Sequence, residues 1–113
     1  AKRISYIEEE IGYWRKANQI HKWFVDNVQN GVDDCGNYYV THDQLTKLKN
    51  LCQRVLDNPA LGKDLLPTTN GFFFGSTDYD QYYLDDLKNT IKICDDAMSV
   101  EPGKASLYYN SSW

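Results

Sequence analysis

Residues 59–76 hold Pro59, Gly62, Pro67, Gly71 and Gly75. Proline removes a backbone donor and glycine costs conformational entropy, so breakers at that density predict a connector. The interval is a connector, and it divides two stretches of strong helical periodicity. The chain must therefore fold as separate helices. In the first stretch Leu45, Leu48, Leu51, Cys52, Val55 and Leu56 recur on one face. Thr41 and Gln44 before it have capping-box spacing, which predicts a helix start at Thr41. Asn58-Pro59 predicts its end, since the residue before proline avoids helical dihedrals.

Beyond the connector, Thr77 is expected to cap a further helix, with Asp78 and Asp80 favourable in its first turn. Tyr79, Tyr83, Leu87, Thr90, Ile91, Cys94 and Met98 share its apolar face, and Asp85, Lys88, Lys92, Asp95 and Asp96 the polar one. Pro102-Gly103 closes it. Upstream, residues 4–30 read as one long helix. At 100° per residue Ile7, Ile11, Trp14, Ala17, Val25 and Val28 fall on one side, widened by Tyr13, Ile20 and Phe24. Such a helix would be about 40 Å long, and Gly31 stops it.

Short extended segments complete the reading. Asp34 to Asn37 are turn formers, and Tyr38–Val40 and Leu107–Tyr109 read as strands. The glycine-bounded "GFFFGS" is too short for a helix. If it is extended, Phe72 and Phe74 point one way and Phe73 the other, so one phenylalanine must cover another element or a partner. The fold class is α+β, mainly α: three helices with a small β element of two or three short strands, in one domain spanning residues 1–113.

Charge excludes one class of function. Residues 76–101 carry seven acids against two lysines within a net charge of −4. Broad nucleic-acid binding through phosphates is disfavoured, leaving only a small basic cluster at Arg15, Lys16 and Lys22. The three cysteines, Cys35, Cys52 and Cys94, are odd in number and lack C-x-x-C spacing. They read as reduced thiols of an intracellular protein, two of them on buried helix faces. No apolar run is long enough to cross a membrane, and no signal peptide is visible.

Aromatic residues make up 14% of the chain, with nine tyrosines and three tryptophans, which favours an aromatic core or an aromatic binding face. Asn18 and His21 interrupt the apolar arc beside Trp14. Buried there, they need partners: they are either a recognition spot edged by Arg15 or a structural pair tying the helix to a loop. Trp23 points away from the arc: it is either an interface residue or is covered by the sheet or the C-terminal arm. The candidate ligand- or partner-binding residues are Arg15, Asn18, His21, Lys22, Trp23 and Phe73. No catalytic residue, cofactor or metal is expected. Asp33, Asp34, Cys35, His21 and His42 lack the spacing of a zinc or calcium site, and the glycines match no phosphate-binding fingerprint.

Three segments, "YWRKANQIHKWFV", "LLPTTNGFFFGSTDYDQYYLDDLKNTI" and the terminal "YYNSSW", resemble a family of small uncharacterised bacteriophage proteins. The resemblance covers Tyr13 to Trp113, and "GFFFGSTDYD" is its most specific part. It implies a phage protein acting in the host cytoplasm, and supplies no catalytic residues. The expected function is non-enzymatic binding that inhibits a bacterial anti-phage defence protein. One alternative is a pocket that sequesters a nucleotide-like signalling molecule. A weaker one is a small enzyme with His21 as base. A homo-oligomer is possible.

Overall fold

The computed structural model describes residues 11–14, 17–34, 36–69, 78–100 and 106–110. In chain order they form α1 (Asn18–Asn27), β1 (Tyr38–Val40), α2 (His42–Asp57), a 3-10 turn (Pro59–Leu61), α3 (Gly62–Leu65), α4 (Gln81–Met98) and β2 (Leu107–Tyr109). The protein is mainly helical, with one antiparallel two-stranded sheet.

The centre of the molecule is the α2–α4 pair. Leu45, Leu48, Cys52 and Val55 of α2 meet Tyr83, Leu87, Cys94 and Ala97 of α4, all buried in one cluster. Their spacing is the period of a helix that hides a single stripe. Thr46 bonds the Met98 sulfur, and Lys49 pairs with Asp95. The start of α2 therefore lies beside the end of α4, and the two helices run antiparallel. Each cysteine of the pair is fully buried and free. Burial pushes the Cys94 thiol up to about 12, and the Cys52 thiol further in the same direction.

Helix α2 begins as its sequence predicts. The Gln44 N–H donates to the Thr41 hydroxyl oxygen (3.1 Å), and the Thr41 N–H donates to Gln44 Oε1 (2.9 Å). It ends at Asn58, before Pro59. The expected Thr77 cap is corrected: α4 starts at Gln81, and Asp80 caps it by accepting the Tyr83 N–H at 3.1 Å. Tyr79, expected inside the helix, precedes it. Its ring lies 4.9 Å from that of Tyr83, and its hydroxyl accepts the Thr68 N–H. These contacts hold the segment back against the connector. Thr77 itself lies outside the described residues.

The long helix over residues 4–30 is also corrected. Helix α1 covers Asn18–Asn27, and Ile11 to Trp14 are not helical. That strip instead lies along α4. The Asn89 side chain donates to the Tyr13 carbonyl, and the Trp14 indole N–H donates to the Thr90 hydroxyl at 2.8 Å. At Gly12 the backbone approaches so closely that an added Cβ would collide with the Ile93 side chain. The helical pattern of Ile11 and Trp14 comes from facing α4, whose own surface has that period. At its other end α1 stops at Asn27, short of the expected residue 30. Asn30 and Gly31 both take positive φ, and the Gly31 N–H donates to the Val25 carbonyl.

The two predicted strands pair with each other, Tyr38 opposite Tyr109, Tyr39 opposite Tyr108 and Val40 opposite Leu107. The expected strand at Phe72–Phe74 lies outside the described residues.

Candidate functional site

Helix α1 is buried almost all round, with Asn18, Gln19, Ile20, His21, Trp23, Phe24 and Val25 all inside. The polar residues on it must therefore find partners within the protein, and each does so by reaching a different element.

Asn18 grips a peptide unit. Its amide donates to the Thr69 carbonyl at 2.5 Å, and its Oδ1 accepts the Thr69 N–H at 2.7 Å. This bidentate geometry reproduces a β-ladder pair. It fixes the connector immediately ahead of "NGFFFG".

His21 bridges two segments. Nε2 lies 2.8 Å from Asp33 Oδ1, and Nδ1 lies 2.7 Å from the Tyr109 hydroxyl. A carboxylate only accepts, so Nε2 carries the proton, and Nδ1 of the neutral ring accepts from Tyr109. The Tyr109 ring lies flat on Phe24, centroids 3.9 Å apart, with Trp14 edge-on to both. Burial raises the Tyr109 phenol above its ordinary range, and the Asp33 charge adds to this. The Asp33–His21–Tyr109 chain has the order of a proton relay, yet the end that would attack a substrate is a protonated phenol stacked inside the aromatic core. Its evident work is to hold β2 and the Asp33 turn onto α1.

Gln19 reaches α4, with Nε2 3.4 Å from the Tyr83 carbonyl and from Asp86 Oδ2. Burial pushes the Asp86 carboxyl above its ordinary range. Gln19 pulls it partly back, and Asp85 and Asp80 push it up further.

Of the residues expected to form a binding site, the structure brings Lys22 and Trp23 together. They line a shallow groove with Gln19, Asp26, Asn27, Leu65, Leu66 and Pro67, about 80 Å³ in volume. Lys22 is ion-paired with Asp26 one turn on. The outward placement of Trp23 is corrected: it is 8% exposed and packs edge-on against Phe24 at 5.1 Å. The polar side of α1 on which it stands is covered by the Leu65–Pro67 segment. Asn18 and His21 turn to Thr69 and to the sheet. Arg15 and Phe73 lie outside the described residues.

Sequence reasoning passed over Gln19 and Tyr109, and weighed Asp33 with His21 only as a metal-ligand type. Tyr109 left a signal, since a strand tyrosine alternating with Tyr108 falls on the other face. Gln19 left none, because its partners Tyr83 and Asp86 are remote in the chain.

The exposed aromatic residues are elsewhere. Tyr13, Tyr39, Tyr79, Tyr82 and Tyr108 are all exposed, Tyr82 at 80%. Among the described residues no group of three or more His, Cys, Asp or Glu side chains is arranged to hold a metal, and no helix is long and apolar enough to cross a membrane.

Compared with protein-family models, with curated proteins and with solved structures, the chain gives no match.

Proposed function

We propose that this protein works by binding another protein rather than by catalysis. Following its resemblance to bacteriophage proteins, we propose that the partner is a component of host anti-phage defence, which it blocks in the host cytoplasm. The observation that carries the reading is the number of exposed tyrosines, two of them, Tyr39 and Tyr108, paired across the ribbon, since tyrosine joins large contact area to low ordering cost and is enriched in protein interfaces. Asn18 and His21 support it from the other side, because their polar atoms serve the fold.

The nucleotide-sequestering alternative needs a pocket of roughly 300–1,000 Å³. Among the described residues, the groove over Trp23 holds about 80 Å³ and is too small for that role.

The test is purification of the tagged chain from phage-susceptible cells carrying a defence system, with bound proteins and small molecules identified by mass spectrometry. The expected result is one host protein recovered in stoichiometric yield, and restored phage plating when the chain is expressed. Recovery of a nucleotide with no protein partner would overturn the proposal.

A further inference from the structure

The β1–β2 ribbon carries two rows of tyrosine. The phenols of one row are engaged: Tyr109 stacks on Phe24 and donates to His21, and Tyr38 donates to Asp34 at 2.6 Å. The other row is the directly opposed pair Tyr39 and Tyr108, which turns to water, 58% and 53% exposed, with ring centroids 6.0 Å apart and planes at 70°. Directly opposed residues of an antiparallel pair hold their Cβ atoms about 4.5–5.5 Å apart, so the ladder keeps these two rings together whatever their torsions.

Among the described residues a second pair of tyrosine rings is in contact, Tyr79 and Tyr83, at 4.9 Å. There Tyr83 is only 4% exposed, and its hydroxyl donates to the Leu66 carbonyl inside the protein. Tyr39 and Tyr108 are thus the described pair in which both touching rings are open to a reagent in solution. Thiols readily take up an oxidising equivalent, but Cys52 and Cys94 are wholly buried in the α2–α4 core, where a thiol is inert.

We propose that Tyr39 and Tyr108 form an oxidative modification site, at which a haem peroxidase working on hydrogen peroxide joins the two rings as dityrosine and staples β2 to β1. Each phenol gives one electron to the oxidant and its proton to water. The two phenoxyl radicals couple at ring carbons ortho to oxygen, forming one carbon–carbon bond. The hydrogens on those carbons pass to the phenolic oxygens as the rings regain aromaticity. One hydrogen peroxide becomes two waters for each bridge. Coupling needs the rings to turn edge to edge, and exposed side chains change rotamer within about nanoseconds. Because the ribbon already holds both partners, the step is unimolecular and outruns encounter between chains in dilute solution. The bridge ties together residues remote in sequence, so it restricts the unfolded chain as a disulfide does. The site is independent of the partner-binding reading.

The test treats the dilute full chain with a haem peroxidase and hydrogen peroxide. Dityrosine fluorescence follows the reaction, a denaturing gel separates monomer from cross-linked dimer, and peptide mapping by mass spectrometry locates the bridge. The expected product is a monomer lighter by two hydrogen atoms, with the peptide holding Tyr39 joined to the one holding Tyr108. Its melting temperature should rise by roughly 10 °C. Tyr39→Phe and Tyr108→Phe each keep a ring on the exposed face but remove the oxidisable phenol, and each should abolish the intramolecular bridge. Tyr82→Phe, which removes an exposed phenol from α4, should leave its yield unchanged. Absence of dityrosine, a bridge that maps to other tyrosines, one that survives in either ribbon variant, or one that forms only between chains each overturns the proposal. An unchanged melting temperature in the bridged chain overturns it as well, since the ribbon would not be stapled.

Discussion

Asn18 ties α1 to the connector through a single residue, Thr69. Its side chain spends a donor and an acceptor on one peptide unit, so its removal leaves a half-buried N–H and C=O without these bonds. Unsatisfied groups of this kind cost about 1–3 kcal/mol each, less where water reaches them. Asn18→Ala is expected to lower stability by about 2–3 kcal/mol in urea titrations, with Asn18→Asp intermediate because it keeps the acceptor. A ligand-binding asparagine would behave in the opposite way, and its alanine variant would be as stable as the parent. Sequence reasoning located Asn18 and His21 as anomalies on an apolar arc and held both readings open. What decided between them was invisible in the chain, because Thr69 and Tyr109 are remote in sequence from the residues they satisfy.

Elements were legible in proportion to how local their causes are. The capping box at Thr41, the proline stop after Asn58 and the stripe through Leu45, Leu48, Cys52 and Val55 all depend on neighbours within a few residues, and all stand where the sequence puts them. The stretch from Ile11 to Trp14 did not follow its periodicity, since a strip lying along a helix inherits the helix's spacing. Gly12 was the clue, being a poor helix residue in an otherwise apolar run. Gly12→Ala separates the two conformations by sign. Within a helix the change would stabilise by about 1 kcal/mol. Against Ile93, where the new methyl has no room, it should destabilise by about 1–3 kcal/mol, as thermal melts of the two proteins will show. Tertiary packing likewise buried Trp23, which shares a groove with Leu65, Leu66 and Pro67 of the connector.

For the whole molecule the acidic balance makes stability depend on pH. The Asp86 carboxyl, half-buried beside Asp85 and Asp80, has its folded pKa raised. A carboxyl so shifted favours the fold while protonated. That contribution is complete below the ordinary aspartate range and is lost as pH rises through the raised folded value. Asp86→Asn removes the charge and leaves Gln19 an oxygen to donate to. The variant should therefore melt higher than the parent at neutral pH, the difference closing as pH falls below the ordinary aspartate range. A series of melts across that range checks it, and a variant less stable at neutral pH would show that the charge itself is needed.

The contact between His21 and Tyr109 spans 88 residues of chain, and β2 enters the fold by the same closure. Bringing such distant segments together costs about 4 kcal/mol for an unstructured chain. During synthesis nothing can replace β2 until residues 107–109 have left the ribosome. The α2–α4 core can assemble earlier, with β1 waiting unpaired. The β1–β2 ribbon then forms after that core, so a nascent chain would carry the helical scaffold before the ribbon closes on it.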